Sequence, residues 1–193
     1  MEECDVGPAN GTGESPSEDG VACESFCRFS AKLVFITSLE YTGKDVNGVT
    51  GAHQHCKDRA AAAALDNSDK FKAFISAAEV YPADSEQFAH ATLPYVRLDG
   101  IRVADDWQDL VSEGPTSGIT ISEEKKTLEA KFVWTGTDPK GELFLPEHTC
   151  AGWSSDSPAM KGAVGWSVAG PTQWTSETLL SCDYTGRLYC FEQ

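Results

Sequence analysis

VWTGTDPKG (133–141), TCAGW (149–153), QWTSETLLSC (173–182) and RLYCFEQ (187–193) form a broken series in the last third of the chain. Its fixed points are Cys150, Cys182 and Cys190, interleaved with Trp134, Trp153 and Trp174. Between them lie Gly, Pro, Ser and Thr, residues that make turns rather than long regular elements. Further upstream, Cys56 opens the alanine-rich stretch KDRAAAAAL (57–65). Cysteines this far apart, in a chain without a catalytic signature, mark a disulfide-stapled, loop-rich fold made for an oxidising compartment. Four cysteines allow three pairings, and spacing alone selects none of them.

The chain has 193 residues, enough for one ordinary domain and an appendage. Its net charge of −15 argues against nucleic acid, anionic membrane and sulfated polysaccharide as electrostatic partners. Residues 1–28 carry seven acidic side chains against Arg28 alone, a local charge of −6 that leaves −9 for the rest. This segment is rich in Gly, Ser and Pro and poor in core formers, so it cannot fold without staples. Glu2-Glu3-Cys4-Asp5, with Cys23 and Cys27 closing the segment, resembles the second half of the short cysteine-rich repeats of exported myxobacterial proteins; a disordered acidic linker is the alternative reading. Asn10-Gly11-Thr12 is a glycosylation sequon. No signal peptide and no bilayer-length apolar run is visible, so direct membrane insertion is not expected. A disulfide protein without a leader is expected to be a segment of a larger secreted or cell-surface protein, and the odd count of seven cysteines agrees with that.

KLVFITS (32–38) reads as a strand, Tyr41 to Val49 as a loop, and residues 50–65 as the best helix, with Thr50 as its cap. KFKAFISA (70–77) alternates as a strand does. A short helix is expected over 84–91, two strand pieces hinged at Asp99-Gly100 over 94–104, and one helical turn from Trp107 to Val111. Strands follow at 127–136 and 162–169. Those at 179–182 and 187–192 are expected to pair as a hairpin across Asp183 to Gly186. The fold class is α+β, with one long helix, mixed antiparallel strands and a long irregular loop region.

Taken in order, these stretches resemble the endostatin-like domain, the C-terminal module of types XV and XVIII collagen, and its bacterial relatives of unknown function. The resemblance runs through the opening strand, the helix with Gly51-Ala52, Cys56 and Arg59-Ala60, FKAFIS (71–76), PYVRLDG (94–100), VWTGTDPKG and the ending LLSCDYTGRLYCFEQ (179–193). It assigns residues 29–193 to one domain. It implies a C-type-lectin-like fold with nested bridges, Cys56–Cys190 and Cys150–Cys182. It does not carry that family's ligands across. The calcium tripeptides of sugar-binding relatives are missing, since Trp174 is followed by Thr175-Ser176 without a carboxylate. The zinc-binding histidine cluster and the heparin-binding arginines of endostatin are missing too, so no metal or other cofactor is expected.

His53 and His55 lack the i, i+4 spacing of a metal pair, and a solvent-facing or capping role is the better reading. Asp105-Asp106 and Glu123-Glu124 read as solvated surface acids. No nucleophile elbow or phosphate loop is present, and paired cysteines make poor nucleophiles, so an enzyme is not expected. Trp134 belongs to the core. Trp153 and Trp174 either form the small core of the loop region or face a ligand; on the second reading Trp153, Asp156, Trp174 and Glu177 are the candidate ligand contacts. The sequence therefore points to a non-catalytic binding module for an extracellular glycan or protein. Its alternative is a structural or interaction domain of a multidomain surface protein. Because the whole-molecule field opposes a polyanion, the protein is expected to flow through a heparin column at physiological salt; tight, salt-sensitive retention would reveal a basic cluster assembled only by folding.

Overall fold

The computed structural model describes residues 30–168, 170 and 173–193. Packing divides the chain into Met1–Ser30 and Ala31–Gln193. The cysteine-rich segment with Cys4, Cys23, Cys27 and the Asn10 sequon lies outside the described residues.

The second unit is α+β, with two sheets. Strands β1 (Lys32–Ile36), β2 (Phe71–Ala73), β3 (Tyr95–Arg97), β4 (Arg102–Ala104) and β8 (Tyr189–Glu192) form a five-stranded sheet in the order β2-β8-β1-β3-β4. Strands β5 (Phe132–Trp134), β6 (Lys161–Trp166) and β7 (Thr178–Ser181) form a three-stranded sheet in that order. The long helix is α1 (Gly48–Ala62), and α2 (Trp107–Ser112) and α3 (Gln173–Ser176) are short.

The run LVFI in β1 is apolar at successive positions because the central sheet is covered on both faces. Phe35 and Cys190 face one buried cluster with Ala52, Cys56 and Ala60 of α1 and with Trp134 and Trp153. Val34, Ile36, Tyr189 and Phe191 face the other, with Phe74, Phe88, Trp107 and Trp174. Ala52, Cys56 and Ala60 recur every four residues, so a single stripe of small side chains lets the α1 backbone lie close to β2 and β8. Cys56 is bonded there to Cys190, and Cys150 to Cys182, the nested pairing that the resemblance implies. With partners 134 and 32 positions apart in sequence, the chain-entropy model gives about 5 and about 4 kcal/mol for the two bridges.

Several elements differ from the sequence reading. Helix α1 starts at Gly48 rather than after Thr50, because Asn47 and Gly48 take positive φ and the Gly51 N–H reaches the Asn47 carbonyl at 3.2 Å. It ends before Asp66: Ala64 adopts the left-handed conformation and the Leu65 N–H closes onto the Ala60 carbonyl, a C-terminal cap made without glycine. Residues 84–91 form turns around Asp84 instead of a helix, and they insert Phe88 into the second cluster. The expected hairpin of the last two strands is not formed. β7 pairs with β6, whereas β8 pairs with β1 and β2. The chain between them is claimed by other partners: Gly186 exchanges hydrogen bonds with Tyr41, Arg187 with Phe132 and Trp134, and Leu188 accepts from the Thr37 N–H. The pair Glu123-Glu124 is not simply surface. Glu123 is 1 % exposed and accepts from the Ser38 N–H at 2.8 Å, the Ser38 hydroxyl and Arg59 Nε at 2.7 Å, tying α1 to the end of β1. A buried carboxylate is tolerated because its lone pairs are met in this way.

Two glycines fix how the loops lie on this frame. A Cβ on Gly165 would stand 1.7 Å from the Trp174 carbonyl oxygen, so α3 rests directly on the β6 backbone. A Cβ on Gly43 would stand 2.7 Å from both Cys150 Sγ and the Ser155 carbonyl. Gly165→Ala and Gly43→Ala are each expected to cost about 2–3 kcal/mol by overpacking against backbone that cannot yield. Denaturant titration against the wild-type protein checks this.

Candidate functional site

The four candidate ligand contacts divide into two buried and two exposed residues. Trp153 is 0 % exposed, and its Nε1–H donates to the Ser76 carbonyl at 2.9 Å. Its ring packs on Trp134 with centroids 5.6 Å apart. Trp174 is 1 % exposed and packs on Phe74 and Tyr189. Neither indole offers a face to a ligand, so the reading of these two as contacts is corrected: both are core. The physical reason for Trp153 lies in the backbone that carries it. Asp156 and Glu177 are exposed, but the structure does not bring them together. Asp156 lies 3.9 Å from Lys44, in the loop preceding β6. The Glu177 N–H bonds the Val164 carbonyl near the other end of that strand. Three residues of strand, about 10 Å, separate the Lys161 and Val164 ends of β6.

Trp153 is turned inward by an unusual piece of chain. Cys150, Ala151, Gly152 and Trp153 all have positive φ, at 50°, 55°, 67° and 61°. They make one left-handed turn, closed by the Trp153 N–H to the Thr149 carbonyl at 2.6 Å and the Ser154 N–H to the Cys150 carbonyl at 3.1 Å. Thr149 Oγ1 accepts the Gly152 N–H at 3.1 Å. Left-handed backbone costs an ordinary L-residue about 1–2 kcal/mol, and three of the four here are not glycine. The Cys150–Cys182 bridge at one end and the buried indole at the other hold the turn in place. Strain of this kind persists only where surrounding contacts over-determine it, and it gathers at functional surfaces.

The segment that leads into this turn is as rigid. Asp138 Oδ1 accepts from the Lys140 and Glu142 N–H groups at 2.9 Å, and the Thr137–Leu143 bridge closes the loop behind it. Phe144, Leu145 and Pro146 then follow as consecutive exposed residues, Phe144 and Leu145 being 37 % and 39 % exposed. The Phe144 N–H is bonded to the Gly136 carbonyl, and the Thr149 hydroxyl to the Pro146 carbonyl, so both ends of the strip are fixed. Met160, 43 % exposed, ends the loop that follows the left-handed turn. Exposed Glu142, Glu147 and Asp156 border these residues in sequence. Sequence reasoning passed over the strip because three apolar residues in a row are not a motif; only their exposure makes them notable.

Three of the four histidines serve the frame, while His148 stacks on Phe144 of the strip with ring centroids 6.2 Å apart. His55 Nε2–H donates to the Asp45 carbonyl at 2.8 Å and the ring packs on Tyr41. His90 donates to the Pro82 carbonyl and stacks on Trp107 at 4.0 Å. His53 is neither solvent-facing nor a helix cap. Its Nδ1 accepts the Ala73 N–H at 3.2 Å, on the outer edge of β2. Burial, with Lys72 and Lys57 nearby, holds its pKa down to about 4. Among the described residues no three His, Cys, Asp or Glu side chains form a metal-binding group. Asp45, like Asp138, is engaged in its own turn, through Thr42. No protein-family model matches the chain and no curated protein matches it, so the endostatin-like resemblance stands on the quoted residues.

The His53 contact has a pH signature. A histidine whose folded pKa lies below its unfolded value contributes stability that is complete above about pH 6.5 and is lost as the pH falls toward 4, because protonated Nδ1 cannot accept from Ala73. Between pH 7 and 5 the loss is expected to reach about 2 kcal/mol, visible as a fall of several degrees in the thermal midpoint. His53→Gln, which keeps an acceptor but does not titrate, is expected to flatten the curve in that window; an unchanged slope would place the sensitivity elsewhere.

Proposed function

We propose that residues 31–193 are an endostatin-like domain of the C-type-lectin-like fold, serving as a non-catalytic protein-recognition module of a secreted or cell-surface protein. The nested bridges and the early long helix joined to the last strand support the fold reading. The two disulfides support an oxidising location. Among the described residues no helix is long and apolar enough to cross a membrane.

One observation carries the functional reading: the exposed strip Phe144-Leu145-Pro146 is held between the Asp138 turn and the strained, disulfide-clamped turn at 150–153. A rigid apolar strip contributes binding energy with little ordering cost, as interface anchors do. A protein partner is favoured over a glycan because Trp153 and Trp174 are buried and supply no stacking face. The bordering acids and the net charge of −15 suit a partner whose apolar patch has a basic margin.

A microarray carrying glycans beside exported proteins tests this reading. The expected outcome is a protein hit whose affinity falls at least tenfold in Phe144→Ser/Leu145→Ser, with the melting curve unchanged. Hits confined to glycans, or protein hits indifferent to the double substitution, would refute it.

A further inference from the structure

Every sheet edge exposes main-chain donors and acceptors, and among the described residues three of the four edges in this domain take at least one hydrogen bond from a neighbouring element. At β2 the outward Ala73 N–H is capped by His53 Nδ1 at 3.2 Å. At β4 the Val103 carbonyl accepts both the Thr116 N–H at 2.8 Å and its hydroxyl at 3.1 Å. At β5 the chain through Arg187 runs alongside, exchanging hydrogen bonds with Phe132 and Trp134. The fourth edge is β7.

The register shows which groups β7 turns outward. β6 and β7 pair as Lys161–Ser181, Gly162–Leu180, Ala163–Leu179 and Val164–Thr178. The Cys182 N–H donates to the Met160 carbonyl at 3.1 Å, which continues that register. The Ala163 carbonyl accepts from Thr135 and Gly136 on the β5 side. Main-chain groups alternate in direction along an antiparallel strand, so Thr178, Leu180 and Cys182 face β6, while Leu179 and Ser181 face away. The Ser181 carbonyl is taken by the Tyr184 N–H at 3.0 Å. For the Leu179 N–H, the Leu179 carbonyl and the Ser181 N–H, no partner is present among the described residues. The strand Thr-Leu-Leu-Ser also lacks the lysine or proline with which natural proteins blunt an open edge.

We infer that β7 is a strand-addition site, at which an extended, basic-flanked segment of a partner protein joins the three-stranded sheet as a fourth strand alongside β7. The Leu179 N–H and carbonyl and the Ser181 N–H supply the main-chain bonds, and half-buried Leu179 and Leu180 supply apolar contact on the two faces. Exposed Glu177 and Asp183 stand just beyond the two ends of the strand and select for basic residues in the added segment. A second copy of this chain is disfavoured, because it would bring the same carboxylates and a net charge of −15 against themselves. This inference does not depend on the Phe144–Pro146 reading. That strip is read through side chains, this edge through backbone.

Selection of a random twelve-residue peptide library on the full 193-residue chain tests it. Enriched peptides are expected to carry an alternating apolar core with Lys or Arg at its flanks. Their affinity is expected to fall tenfold or more with Leu179→Pro, which removes one outward N–H at an edge position that tolerates proline, and to change less than threefold with Leu179→Ala. Phe144→Ser should leave them unaffected. Should Leu179→Pro unfold the domain, hydrogen exchange on the wild-type complex decides the matter instead: the Leu179 and Ser181 amides are expected to gain protection when peptide is bound. Absence of enriched peptides, equal sensitivity to alanine and proline, or unprotected amides at both positions would overturn the proposal. A concentration-dependent dimer abolished by Leu179→Pro would overturn it in favour of a second copy.

Discussion

Cys190 stands where three commitments of the fold meet. It lies opposite Phe35 of β1 on one side and Ala73 of β2 on the other, and its sulfur is bonded to Cys56 of α1. One residue thus fixes the centre of the larger sheet and the height of the helix above it. The small side chains around it, Ala52 and Ala60 on α1 and Ala73 on β2, follow from that closeness. A larger residue at any of them would push the helix off a bridge whose Cα atoms are 5.5 Å apart. His53, on the same helix, reaches the edge of β2 for the same reason.

The second bridge does a different job. Cys150–Cys182 lies under the loop region, with Gly43 and Gly162 pressed against Cys150 Sγ. It links the left-handed turn to the end of β7, so the two candidate interaction features, the Phe144–Pro146 strip and the β7 edge, adjoin one covalent anchor. Around it the chain concentrates its strain: positive φ at successive non-glycine residues, indoles folded inward, and glycines where backbone meets backbone.

The frame was legible in the sequence; much of the loop surface was not. β1 showed as a β-branched and aromatic run, α1 through its alanines, and both bridges through the resemblance that aligned the cysteines. Each of these signals is local or rests on one residue type. The β7–β8 hairpin failed because adjacency and a turn sequence favour pairing, while the competing hydrogen bonds to Tyr41, Phe132 and Thr37 come from distant positions that no window contains. Glu123 reads in sequence as solvent-facing because its partners, Ser38 and Arg59, are 85 and 64 residues away. Trp153 and Trp174 posed a question of direction, which composition cannot answer. A tryptophan beside glycine in a Cys-Ala-Gly-Trp run is equally compatible with a ligand face and a core plug, and only the handedness of the turn decides.

The position of β8 in the sheet has a consequence for the order in which the domain can be made. Among the described residues it is the last strand in sequence and the only one that pairs with both the first strand and the second. Until it emerges during synthesis, β1 has no antiparallel partner strand and β2 has none at all among the described residues, while Cys56 waits 134 residues for its mate. Their apolar faces stay open for that whole interval, which is when chaperones and competing thiols act on a chain. Completion of the larger sheet therefore waits on its last strand, and in that interval Cys56 meets Cys150 and then Cys182 as wrong partners before Cys190 appears, so closing the core depends on thiol–disulfide exchange staying possible until the end.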